Sequence, residues 1–162
     1  MLKPVEFDDL EILREWRNDP SLYQFFYQYR PITKTEQVGW WEKLGDEYQA
    51  FMVWEGGKRV GYTGLRDINS IIRSAEFTIF VIPEERHKGY GQQALRDIID
   101  YGFNTLNLNR IYSDVFSYNE AIKLYLNFGF KREGVKRQAC FKKGQYWDVY
   151  HIGLLREEWK VT

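Results

Sequence analysis

Apolar positions recur along the chain with two periods, and the points where one gives way to the other divide it into elements. Met1 to Glu6 reads as a short edge strand, because Pro4 has no amide hydrogen to give to a ladder. Leu10, Leu13 and Trp16 recur at helical spacing behind a capping Asp8 or Asp9, and Asn18-Asp-Pro20 stops that helix. Phe25-Phe-Tyr-Gln-Tyr29 is aromatic without a clean period. Thr33-Lys-Thr-Glu36 has capping-box spacing and opens a second helix through Val38, Trp41 and Leu44, closed by Gly45. From Tyr48 the period falls to two. Gln49 to Trp54 predicts a strand, Gly56-Gly57 a hairpin turn and Arg59 to Leu65 the returning strand. After a polar turn around Asp67-Ile-Asn-Ser70, Ser74 to Ile82 makes a third strand.

Helical spacing returns at Gly91, with Ala94, Leu95, Ile98, Ile99 and Phe103 on one face. Arg110 to Phe116 is strand, and Asn119 to Phe128 is a short helix stopped by Gly129. Two strands close the chain, from Phe130 and from Tyr146 to Leu155, around a turn at Lys142-Lys-Gly144. The order is β-α-α-β-β-β-α-β-α-β-β. Only the last two helices join strands able to run parallel, so the expected fold is α/β of an α+β-like kind: a mixed, mostly antiparallel central sheet flanked by helices. With no repeat, low-complexity tract or linker, residues 1–162 are expected to form a single domain.

Composition narrows the classes. Hydrophobic residues make up 44%, which with regular periodicity predicts a globular protein. Formal net charge is +0, from 23 Lys+Arg against 23 Asp+Glu, which argues against a broad nucleic-acid surface but allows a local basic pocket. Cys140 is the single cysteine, so no internal disulfide forms and a reducing cytosol fits. No apolar run is long enough for a membrane, and the N-terminus lacks the apolar core of a signal peptide. The expectation is a soluble cytoplasmic protein with neither membrane nor nucleic-acid partners. Aromatic residues reach 18%, many of them early in the chain.

The stretch richest in chemistry is Phe80-Val-Ile-Pro-Glu-Glu-Arg-His-Lys-Gly-Tyr-Gly-Gln-Gln-Ala94. An apolar strand, a basic loop with two glycines and a helix start follow one another, which is the layout of an anion site. Free N–H groups and the positive dipole end attract phosphate. Gly89 and Gly91 let a ligand come close to those amides, and Arg86 and Lys88 add charge. Gly89 to Ala94 also satisfies the dinucleotide pattern G-x-G-x-x-A, with Asp114 at about the spacing of a ribose partner. That fingerprint belongs to an opening βαβ unit, whereas the strand here ends an antiparallel meander.

Arg86-His-Lys-Gly-Tyr-Gly91 has the form R/Q-x-x-G-x-G/A, and Asn119, Ala121, Tyr125, Gly129 and Phe130 fit N-x-x-A-x-x-x-Y-x-x-x-G-F. With both motifs in this order, the chain resembles the GNAT superfamily of acetyl-CoA-dependent N-acetyltransferases over about residues 74 to 155, and more loosely towards the N-terminus. Within it the chain is similar to the branch of ribosomal-protein N-terminal, spermidine and amino-sugar acetyltransferases. Arg73-Ser-Ala-Glu-Phe77, Ile82-Pro-Glu84 and Tyr101-Gly-Phe103 look like the spermidine enzymes, Trp16-Arg-Asn18 and Trp40-Trp-Glu42 like the amino-sugar ones.

The resemblance implies a sheet splayed at the coenzyme site, with coenzyme A pyrophosphate on the loop of Arg86, His87, Lys88, Gly89, Tyr90, Gly91 and Gln92, and Asn119 against the coenzyme. Pantetheine pairs with the backbone of Phe80, Val81 and Ile82, and an amide near Val81 polarises the thioester carbonyl. Tyr125 is the expected general acid, since a phenol of pKa near ~10 stays neutral while it protonates a thiolate. Glu76 is either a base acting through water or a partner for Arg73 or another surface charge. His151 and Cys140 read as structural. The acceptor pocket is expected from the first two helices, their aromatic connector and the loop near Cys140. Acetyl-CoA is the implied co-substrate, with no metal, and the acceptor a small-molecule or peptide amine. Dimers are common in the resembled branch, so a homodimer is an expectation of the same kind. The competing class is an acyl-CoA-binding or sensing protein without turnover.

Overall fold

A computed structural model describes residues 1–160; positions 161 and 162, the end of the expected unit, lie outside the described residues. The strands are β1 (Leu2–Pro4), β2 (Gln49–Glu55), β3 (Lys58–Asn69), β4 (Ser74–Val81), β5 (Arg110–Phe116), β6 (Lys131–Lys142) and β7 (Gln145–Leu155). The helices are α1 (Leu10–Asn18), α2 (Pro20–Tyr23), α3 (Lys34–Trp41), α4 (Tyr90–Asp100) and α5 (Ala121–Asn127). One sheet holds all seven strands, in the order β1-β2-β3-β4-β5-β7-β6. Only the β4–β5 pair is parallel. The mixed, mostly antiparallel sheet expected from the sequence is the one observed.

Local chemistry accounts for most boundaries. Gly56 and Gly57 both have positive φ, which two-residue hairpins with the twist of their strands require. Thr33 accepts from the Glu36 amide, and Glu36 returns a bond to the Thr33 amide, closing the predicted box at the start of α3. Several boundaries differ from expectation, and α3 ends at Trp41 rather than running through Leu44 to Gly45. Pro20 ends α1 but also opens α2, because Asp19 accepts from the Ser21 amide and proline suits a first helical position. The strand expected to end at Leu65 runs to Asn69; Asp67 takes φ 51 and the ladder absorbs the irregularity between Arg66 and Asn69. The helix after β5 begins at Ala121 rather than Asn119, whose side chain stays outside as its cap.

Helices cover both faces. On one, Leu95, Ile98 and Ile99 of α4 are 0% exposed and pack with Leu65, Phe77 and Ile111 of the sheet. Full burial of each such side chain contributes about 1.5–3 kcal/mol. On the other, Leu10, Leu13 and Trp16 of α1 and Trp40 and Trp41 of α3 meet Met52 and Tyr62. β5 and β6, joined by α5, run in the same direction but do not touch, because β7 is inserted between them.

Candidate active site

The parallel ladder between β4 and β5 consists of three pairs, Ser74 with Arg110, Ala75 with Ile111 and Glu76 with Tyr112. Beyond Glu76 and Tyr112 the strands part, and a cleft of about 1600 Å³ occupies the gap. Ile82 gives its amide to the Val60 carbonyl on the β3 side at 3.0 Å. Alternation along the strand therefore turns the Val81 amide toward the open side. The Val81 carbonyl shares that side and accepts from Arg86 Nε at 3.2 Å. Phe80 sends its ring to the α1 face, 6.0 Å from Trp16 and 5.6 Å from Tyr62, and the same alternation turns its backbone N–H and C=O toward β3. Of the expected Phe80, Val81 and Ile82, only Val81 therefore presents its backbone to the open side.

The loop that follows is shaped by left-handed residues. His87 has φ 62 and Gly89 φ 87, and Gly89 is the cap of α4. The helix consequently starts at Tyr90, one residue ahead of the expected Gly91. A Cβ on Gly91 would stand an ordinary 3.5 Å from Val81 Cγ2. Packing inside the protein therefore does not demand glycine at 91; the bare Cα keeps the helix terminus open to the cleft. Arg86, His87, Gly89, Gly91 and Gln92 line the cleft. Ile82, Lys88 and Tyr90 do not reach it: Ile82 is engaged with β3, Lys88 Nζ pairs with Glu85 at 2.8 Å, and Tyr90 packs on Val53, Val60 and Ala94. Open amides, an unobstructed helix start and a free strand edge together fit an extended, phosphorylated coenzyme.

α5 brings up the phenol. Tyr125 lies on the inward face with Ile122, its ring edge-on to Phe77 at 5.1 Å, and it lines the cleft. Burial holds its pKa above the ordinary value of 10.0, and its hydroxyl has no hydrogen-bond partner among the described residues. Asn119 Oδ1 accepts from the Ala121 amide at 3.0 Å, capping α5 from a position on the cleft wall. Glu76 Oε1 accepts from Arg66 Nη2 at 2.7 Å; its charge partner is Arg66, not Arg73. Tyr125, Glu76, Asn119 and the loop thus face one space.

The far end of that space is built from α1, α3 and the 24–32 segment. Asn18 fixes the end of this segment twice, accepting from the Ile32 amide at 2.8 Å and donating to its carbonyl at 2.9 Å. Gln28 Nε2 donates to the Arg17 carbonyl at 2.9 Å. Lys142, buried on β6, donates to the carbonyls of Gln28 and Tyr23, and the Tyr118 hydroxyl donates to that of Gln24. Tyr27 reaches Asp114 at 3.3 Å, and Asp114 also accepts from Lys136 at 2.6 Å and contacts His151 Nδ1 at 2.8 Å. Burial alone would raise the Asp114 pKa, but bonds from Lys136 and His151 bring it below its ordinary value. Leu13, Arg17, Phe26, Gln37 and Trp40 complete this end.

Sequence reasoning passed over Arg17, Gln37, Asp114 as a cleft residue, and Lys142. Two of these carry a readable signal: Arg17 falls four residues after Leu13, and Gln37 four before Trp41, so polar groups sit at inward helical spacing. Lys142 has no such signal, because it belongs to an expected turn. Cys140 is buried against Phe116 and Val149. Among the described residues, no group of three His, Cys, Asp or Glu side chains is placed to hold a metal.

The family model described as acetyltransferase (GNAT) domain matches residues 1–131. Spermidine N(1)-acetyltransferase of Escherichia coli K12 is 30% identical over 161 residues, covering 98% of this chain and 87% of the relative. The Vibrio cholerae enzyme of the same name is 29% identical over 163 residues, covering 98% and 94%. A crystal structure of spermidine N-acetyltransferase from Vibrio cholerae in complex with CoA and spermine superimposes with a TM-score of 0.92 at 28% identity, covering 98% of this chain and 96% of that one.

Proposed function

The chain belongs to the acetyltransferase (GNAT) family, whose members move an acetyl group from acetyl-CoA to an amine, and we propose that its acceptor is a small-molecule primary amine that attacks the thioester directly. Acetyl-CoA supplies the activated acetyl group; the chain supplies position, polarisation and protons. The Val81 amide donates to the carbonyl oxygen as negative charge develops there. Loop 86–92 and the start of α4 hold the pyrophosphate, and Asn119 lines the same wall. Glu76, whose Oε1 accepts from Arg66 Nη2, takes the amine proton through water. Tyr125 gives its proton to the departing thiolate.

Tyr125 carries this reading. A buried phenol facing the splayed edge, with no internal hydrogen bond to satisfy it, is a proton donor waiting for an acceptor. The relatives named for spermidine support a small-molecule amine over a peptide. Thiol release from acetyl-CoA with a panel of primary amines tests the activity. Tyr125→Phe should lower kcat roughly 10²- to 10⁴-fold, the usual worth of a general acid. Its coenzyme affinity, read by calorimetry, should stay within about twofold, since removing an unpaired hydroxyl disturbs no contact. Full turnover by the variant would remove Tyr125 from the reaction.

A further inference from the structure

The acceptor end of the cleft contains three buried polar atoms without a hydrogen-bond partner among the described residues: Gln37 Nε2, Arg66 Nε and Gln28 Oε1. All three residues line the same space. Gln37 is only 1% exposed. Its other amide atom, Oε1, is already taken by Arg17 Nη1 at 3.1 Å, which fixes which end of the amide remains unused. Arg17 itself stands over the Trp40 ring at 5.9 Å and has no carboxylate partner among the described residues. Burial draws its pKa down, yet a guanidinium does not lose its proton in proteins. A half-buried charge without a counter-ion is costly, and so is an unpaired buried donor. The acids in the same wall do not supply the missing charge, because Glu76 is committed to Arg66 and Asp114 to Lys136 and His151.

We propose that Arg17 and Gln37, with Arg66 Nε, form a subsite for an oxyanion carried by the acceptor, so that the substrate is an amine bearing a carboxylate or phosphate rather than a polycation. This rests on the N-acetyltransferase reading. The amine faces Glu76 and Tyr125, and the oxyanion takes the donors left over at the α1–α3 end. Arginine suits either anion, since its fork matches both in a bidentate manner. A polyamine would bring further positive charge to an unneutralised guanidinium.

The test follows thiol release by the full chain with matched acceptors that differ in one oxyanion: glucosamine 6-phosphate against glucosamine, and β-alanine against β-alaninamide, with spermidine as the polycation. Calorimetric binding of coenzyme A comes first, and its absence overturns the acetyltransferase reading itself. Given that binding, the anionic member of one pair should have at least a tenfold higher kcat/KM. The pair that shows the preference tells phosphate from carboxylate. Arg17→Met should abolish it through KM, Arg17→Lys should restore part, and coenzyme affinity should not move. If Arg17→Met folds poorly, Gln37→Leu, which removes an amide nitrogen already lacking a partner, should also lessen the preference. Spermidine as the best acceptor, undiminished by Arg17→Met, overturns the proposal. If no amine in the set is acetylated, inorganic phosphate and acetate are titrated into the enzyme–coenzyme A complex. Binding that Arg17→Met loses sustains the subsite, and equal heats in both proteins overturn it.

Discussion

Burial lifts the Tyr125 phenol above its ordinary 10.0, so the hydroxyl keeps its proton over the whole range in which an acceptor amine gives up its own. The sign of the pH dependence follows. Turnover rises with pH as the neutral amine becomes available and does not fall again below about pH 10, the unperturbed phenol value. A kcat profile for the wild type should therefore show an acid limb and a plateau, and Tyr125→Phe should lower the plateau without shifting the limb. A descending limb near pH 8 would assign the proton to another group. Tyr125 was readable from its motif, and its burial agrees with the helical spacing shared with Ala121 and Phe128. The partner of Glu76 was not. Arg73 is near in sequence, but Arg66 faces Glu76 across the β3–β4 ladder, and register between strands is not written in either strand alone.

Two connecting elements line the two ends of the cleft. In the β4–α4 loop, the residue at 91 has room inside the protein for a side chain, so a substitution there reports on the ligand rather than on folding. Gly91→Glu should weaken coenzyme A binding at least tenfold by filling the helix terminus with like charge, while the melting temperature stays within a few degrees. Unchanged affinity would move the pyrophosphate elsewhere. The 24–32 segment is held from outside by Lys142, whose ammonium bonds two of its carbonyls and lies over the Tyr29 ring at 4.4 Å. Lys142→Met keeps the stem and loses the ties, so KM for the amine should rise several-fold with kcat little changed. A fall in kcat alone would contradict a tethering role. Both connectors were legible as loops that line the site, but what holds them in place was legible for only one. The 86–92 loop uses glycines and basic residues that are local signals. The 24–32 segment takes its shape from nearby Asn18 and from Tyr118 and Lys142, which are distant in the chain, and its aromatic run without a period gave no hint of them.

At the scale of the molecule, local periodicity predicted nearly every strand and the antiparallel character of the meander, but not the place of β7. A hairpin signal at Lys142-Lys-Gly144 says that β6 and β7 pair; it does not say that β7 enters between β5 and β6. β6 is left as an outer strand exposed at every residue from 131 to 139, with Lys131, Arg132, Lys136 and Arg137 along it, charges that discourage edge-to-edge pairing. The short parallel ladder has a mechanical consequence. β1 to β4 form one plate and β5 to β7 another, stitched together along three residue pairs and bridged by α4, and the cleft opens along that short seam. A ligand that pairs with the free edge of β4 works as a keystone: it holds the plates at a fixed angle and shares their load. Hydrogen exchange at the amides of Ile79 and Val81 should slow on adding coenzyme A, and the melting temperature should climb with its concentration as linkage requires. Equal exchange with and without coenzyme would mean that the plates are braced by the protein alone.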